Sequence, residues 1–127
     1  NKRLWKLKIP LKIKNFFWFI YKKVTLTKDN LRKKNWKGDV KCCYCTLNED
    51  IDHLFFTCFS TKFVWRLVEL TFGLIPPMNV IQCFGIGMHI NQTSRKLIWV
   101  YVAALLWSLW LCRNDLIFNN VVIHTPL

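Results

Sequence analysis

Three cysteines and one histidine stand close together in this chain: Cys42, Cys45, His53 and Cys58. Written Cys42-x2-Cys45-x7-His53-x4-Cys58, the set offers three thiolates and one imidazole, enough for a tetrahedral zinc. Two cysteines separated by two residues can point at one metal from a tight turn, and the second pair closes the site from the far side. On one straight α-helix, residues five apart are rotated by about 140°, so a turn or a helix end must fall between His53 and Cys58. Four protein ligands leave no open coordination position, so one structural Zn2+ is expected and a catalytic metal is not. A disulfide, a redox Cys-x-x-Cys or simple packing are the competing readings. A redox pair would open a helix within an alternating strand–helix pattern, and none surrounds Cys42. Cys43 could stand in for Cys42 in a looser site, although Cys42 keeps the better spacing.

The elements that must hold these ligands are strongly polarised in charge. The net charge is +12 over 127 residues, and all of it lies before the ligands. Residues 1–41 carry fourteen Lys or Arg against two Asp, whereas basic and acidic residues cancel in 42–127. A zinc with three thiolates adds a local charge of about −1, so the metal site itself does not attract phosphate. Phosphate contact is expected instead of Lys6, Lys8, Lys12, Lys14, Lys22, Lys23, Arg32, Lys33 and Lys34, without reading of base sequence. The competing reading is a solvated face that keeps an aromatic-rich chain soluble. Trp5, Trp18 and Trp36 are available for base stacking, but most aromatics here are expected to serve the core.

The fold class expected is mainly α: a small zinc-stabilised helical domain with a Cys-Cys-His-Cys knuckle and a long C-terminal apolar helix. Pro10 suits the first turn of a helix, in which Ile13, Phe16 or Phe17, Ile20 and Val24 recur at helical spacing. Thr27 is the expected N-cap of a second short helix, with Leu31 facing in and Arg32, Lys33 and Lys34 at its C-terminal end. Asp52 is expected either to hydrogen-bond the His53 ring or to cap a helix. Ser60 is expected to cap the next helix, which carries Phe63, Val64, Leu67, Val68 and Leu70 and stops at Gly73. Residues 1–72 thus form a basic helical segment plus the metal module, 73–93 an irregular linker, and 94–120 an apolar helix. The Gly85-Ile86-Gly87 pair is too short for a phosphate loop, and Cys83, His89 and His124 are read as bystanders. The apolar run 97–112 has sixteen residues where a membrane span needs about 20. A buried helix is therefore expected, its second face covered by a partner or by further chain.

The chain also resembles the reverse-transcriptase zinc-binding domain of LINE-type (non-LTR) retroelements, especially those of plants. The residues that carry the resemblance are Trp5-Lys6-Leu7, Pro10-Leu11-Lys12-Ile13-Lys14, Phe16, Trp18 and Thr27-Lys28-Asp29-Asn30-Leu31. It continues through Cys42, Cys45, Glu49, the His53-Leu54-Phe55-Phe56 run, Cys58 and Trp65. A weaker echo lies in Trp107, Trp110, Arg113-Asn114-Asp115 and Phe118. Phe59 departs from the proline that often follows the last cysteine, and the doubled Cys42-Cys43 departs from a single cysteine. The resemblance implies a non-catalytic module attached to an RNA-directed DNA polymerase, gripping element RNA or target DNA.

Composition is consistent with that class. The acidic residues number seven and form no cluster for two-metal phosphoryl chemistry, and the one Cys–His group is committed to metal. Cysteines crowded at 42, 43 and 45 favour a reducing compartment over disulfides, so an intracellular site, the nucleus or a cytoplasmic ribonucleoprotein, is expected. The early apolar run 16–21 is too short for a signal peptide. A chain that opens on Asn1 is expected to be part of a longer polypeptide, and the remainder of that polyprotein is an expected partner, a membrane is not. The alternative function is a structural or protein-interaction zinc module without nucleic-acid contact.

Overall fold

Pro10 holds an extended backbone (φ −55°, ψ 145°), and its carbonyl accepts from the Ile13 and Lys14 amides at 3.0 and 3.2 Å. It therefore caps helix α1, Leu11–Tyr21, from outside and does not form its first turn. The computed structural model describes residues 8–85 and 92–119. After α1 come α2 (Lys28–Lys33), a π-helical turn (His53–Thr57), α3 (Phe59–Phe72), α4 (Val80–Phe84) and α5 (Gln92–Asn114). A second π-helical turn, Asp115–Asn119, extends α5. Among the described residues there is no strand, only an isolated antiparallel bridge between Lys41 and Asn48. The mainly helical expectation holds, and α5 is the long apolar C-terminal helix.

Burial follows the helical period of α1 as far as Ile20. Phe16, Phe17 and Ile20 are buried. Val24 was expected to continue that stripe, but the helix stops at Tyr21 and Lys23 takes a left-handed conformation (φ 58°). The chain turns away and Val24 is 53% exposed. Rings carry the packing. Phe16 meets Trp107 of α5 edge-on at 5.1 Å, and Phe17 meets Trp99 at 6.0 Å and Phe84 of α4 at 5.8 Å. Such edge-to-face pairs contribute beyond the area they bury.

Helix α3 is tied to the π-turn before it by two side chains. Thr61 Oγ1 donates to the Leu54 carbonyl and Trp65 Nε1 to the Phe55 carbonyl, each at 2.7 Å. These bonds occupy carbonyls at the end of the short helical stretch, where the α-helical ladder does not reach them. Ser60 does not cap α3: Cys58 is the N-cap, in extended conformation, so the helix already begins at Phe59. Gly73 stops α3 as expected, in the left-handed conformation that glycine takes at little cost (φ 69°), its amide donating to Glu69. The outward stripe Phe59, Phe63, Leu67 and Leu70 stays exposed.

The segment 73–93 is not wholly irregular. Asn79 Oδ1 accepts from the Gln82 amide at 2.8 Å and starts α4, whose Val80 and Cys83 enter the core. Of the bystanders, Cys83 is thus a buried packing residue, while His89 and His124 lie outside the described residues. Helix α5 buries Ile98, Trp99, Val102, Ala103 and Leu106, while Leu97, Val100, Tyr101 and Leu111 face outward. The helical segment Arg95–Phe118 is long and apolar enough to cross a membrane by length and composition.

At the end of α5 stands Arg113, 1% exposed, against Glu49, fully buried. The contact is a two-pronged fork: Nη2 lies 2.6 Å from Oε1 and Nε 3.1 Å from Oε2. Nη2 also donates to the Leu26 carbonyl at 3.2 Å, and Glu49 Oε1 accepts from the Lys28 amide at 2.7 Å. One ion pair thereby joins α5, the start of α2 and the knuckle. Removing one partner strands the other charge, which costs about 3–5 kcal/mol. Arg113→Ala is expected to lower denaturant-measured stability by about that much, and Glu49→Leu with Arg113→Met by less than the two single changes together.

Candidate metal centre

The first two ligands lie on a tight backbone loop. Glu49 N donates to Val40 O at 2.9 Å and Cys42 N to Leu47 O at 2.8 Å, closing a short antiparallel knuckle around residues 42–47. Inside it the Tyr44 amide points at Cys42 Sγ at 3.4 Å, a donor that favours a thiolate there.

The second pair solves the angular problem of the x4 spacing through the π-turn. The Cys58 amide donates to the His53 carbonyl at 2.8 Å, an i→i+5 bond. Where an α-helix would rotate Cys58 about 140° away from His53, the wider turn brings it back over the same face. Asp50 Oδ1 accepts from the His53 amide at 2.7 Å and holds the start of this turn.

The four ligand atoms lie within 4.8 Å of one another. Cys42 Sγ and Cys58 Sγ are 3.8 Å apart, the edge of a tetrahedron with metal–sulfur bonds of about 2.3 Å. Cys45 Sγ and His53 Nε2 are 3.1 Å apart, and a tetrahedral zinc would open this edge by roughly half an ångström. The donor set therefore fits a closed four-coordinate site. Cys43 is half-buried and is not among the four.

His53 presents Nε2 to the cluster, while Nδ1 lies 3.5 Å from Thr57 Oγ1. The ring is thus oriented by Thr57, one turn further along. Asp52, expected either beside the imidazole or as a helix cap, stands at the N-cap position of the π-turn without a side-chain capping bond: Oδ1 accepts from the Val80 amide at 3.0 Å and Oδ2 lies 3.6 Å from Lys23 Nζ. The hydrogen bond that Cys42 shares with Cys43, together with burial, pushes the Cys42 thiol up. Burial pushes Cys58 up to about 11. Burial of Cys42 and Cys58 favours their protonated forms until a cation compensates.

The model of a family described as zinc-binding in reverse transcriptase, zf-RVT, matches residues 1–65, half of the chain and all four ligands. The chain belongs to this family. In comparisons with curated proteins and with solved structures, nothing matches. The matched part of this zinc-binding domain ends inside α3, at Trp65.

The expected phosphate contacts are dispersed over the domain. Lys6 lies outside the described residues, and Lys8 is exposed ahead of α1. Lys12 is exposed on α1, its ammonium 6.0 Å from the Trp107 ring, and Lys14 is half-buried. Lys22 lies 4.7 Å over the Trp18 ring, and Lys23 pairs with Asp52. Arg32, Lys33 and Lys34 are exposed at the end of α2. Lys12, Lys33 and Lys34 line one groove between α1, α2 and α5; the other described ones do not join them. Glu49 and Arg113 had no assigned role in the sequence. The signal available was a lone basic residue after Lys96, directly behind an apolar run.

Cys58→Ser is expected to abolish stoichiometric metal binding and collapse the thermal melt, whereas Cys43→Ser keeps one metal per chain by elemental analysis. Because the raised thiols of Cys42 and Cys58 are protonated at neutral pH, metal binding releases protons. Affinity in competition with a chelator is therefore expected to fall as pH is lowered, by up to about tenfold per pH unit for each proton released.

Proposed function

We propose that this chain is a zinc-stabilised nucleic-acid-binding module of a retroelement reverse-transcriptase protein, with one structural Zn2+ held by Cys42, Cys45, His53 and Cys58. In finger peptides such a metal supplies about 10–16 kcal/mol of apparent binding free energy, comparable to the net stability of a whole domain. The module contributes no catalysis in this reading. The resemblance to LINE-type plant elements supports a place beside an RNA-directed DNA polymerase, in a nuclear or cytoplasmic ribonucleoprotein.

The observation that carries nucleic-acid contact is the one-sided charge. All of the net +12 lies before the ligands, and Lys12, Lys22, Arg32, Lys33 and Lys34 stay exposed on or just after α1 and α2. The metal site, with a charge of about −1, leaves phosphate to those two helices. A second reading, an interaction module of a larger polyprotein, is favoured by the exposed stripe Phe59, Phe63, Leu67 and Leu70 on α3. That surface carries no cation among its four side chains.

Salt dependence separates the two. With about six cations engaged, the logarithm of affinity for single-stranded RNA is expected to fall with the logarithm of salt at a slope of roughly −4 to −5. Lys33→Gln with Lys34→Gln is expected to reduce the slope by about one per cation removed. An affinity indifferent to salt would leave the interaction reading standing.

A further inference from the structure

Three of the cations named above surround a feature that charge counting does not foresee. Between α1, the 24–34 segment and α5 lies an open groove of about 700 Å³, within the range of small-molecule sites. Its apolar lining is mainly aromatic, with the aliphatic Val24 and Leu26 from the connecting segment. Phe16 and Phe19 come from α1, Trp107 and Trp110 from α5. Phe16 holds Trp107 edge-on at 5.1 Å and Trp110 at 6.1 Å, while Phe19 is 49% exposed. Lys12, Lys33 and Lys34 also line it, and among the described residues no carboxylate does.

The polar groups of the groove point to the kind of ligand. Asn15 and Asn30 supply amides. Asn30 Nδ2 donates to the carbonyls of Lys23 and Thr25, which leaves Oδ1 as its remaining polar atom. Thr25, 5% exposed, lines the same wall, and its Oγ1 has no hydrogen-bond partner among the described residues. A buried hydroxyl left unpaired is costly.

We propose that this groove binds an unpaired nucleobase of a single-stranded nucleic acid, with the adjoining phosphates on Lys12, Lys33 and Lys34. The inference rests on the nucleic-acid reading above and assigns it a site. An aromatic surface takes any base by its face, and ammonium groups at the lining take the flanking phosphates as point charges. The side-chain amides of Asn15 and Asn30 offer partners to the base edge. Duplex nucleic acid does not fit this chemistry, because pairing and stacking already occupy the base's edge and faces. Of the aromatics weighed for stacking in the sequence, Trp18 and Trp36 are not those of the groove, and Trp5 lies outside the described residues. Trp18 instead stacks on Tyr21 at 5.9 Å.

The test compares two single-stranded oligomers of equal length and charge at one salt concentration, one with bases and one abasic, on the zinc-loaded 127-residue chain. The base-bearing oligomer is expected to bind about tenfold more tightly. Phe19→Ala, at a half-exposed position that the fold tolerates, is expected to close most of that gap. Lys33→Gln with Lys34→Gln should weaken both oligomers. Equal affinity for the two oligomers overturns the base site while leaving the phosphate reading intact, and the groove then falls to a protein partner. A gap that Phe19→Ala and Trp107→Ala both leave unchanged also overturns it. Failure to bind either oligomer at low salt removes the phosphate reading, and the base site with it.

Discussion

Glu49 and Arg113 face a constraint that water normally removes: two opposite charges, both out of solvent, must satisfy one another completely. The guanidinium does so with a fork onto both carboxylate oxygens, and spends its remaining donors on the Leu26 carbonyl and Asn114. The carboxylate accepts one more bond from the Lys28 amide. Trp110 lies 4.7 Å from the guanidinium carbon and screens it from water. Because every lone pair and donor is directional, this pair specifies where α5 ends against the knuckle far more narrowly than apolar packing can. The aromatic contacts of α1 with α5 are then made in a fixed register.

The metal centre depends on that arrangement at one remove. Glu49 closes the knuckle through its amide and anchors it to α2 and α5 through its side chain. The opposite pair of ligands is fixed by the core, because Leu54, Phe55 and Phe56 are buried within the same π-turn that carries His53 and Cys58. A wide turn has weaker intrinsic stability than an α-helix. Here it is held by Thr61 and Trp65 from α3, which bond its carbonyls. The π-turn that carries two of the candidate ligands and α3 therefore stabilise one another.

What the sequence shows and what it hides follow from distance along the chain. The ligand set was legible because residue type and spacing are local properties, and even the break between His53 and Cys58 follows from helix geometry. Its form as an i→i+5 turn was not legible, since the bonds that hold it come from α3. Val24 and Ser60 were misread for local reasons: a left-handed Lys23 ends the stripe, and Cys58 starts the helix before Ser60 can. Asp52 stands at a cap position, one of its two expected places, but its side-chain partner was not legible because Val80 lies 28 residues on. The aromatic groove was invisible for the same reason, since α1 supplies one wall and Trp107 and Trp110 of α5 the other.

The family match ends at Trp65, but the fold does not. Arg113, the only cation paired with the Glu49 carboxylate among the described residues, is supplied from 64 residues further on. A piece cut at the edge of the match would keep all four metal ligands and lose the charge that makes a buried Glu49 tolerable. It would also expose the faces of Phe16, Phe17 and Phe55 that α5 covers. The packed core therefore extends beyond the recognisable unit of ancestry, and its second half is joined to the first by ring contacts and by one buried pair of charges.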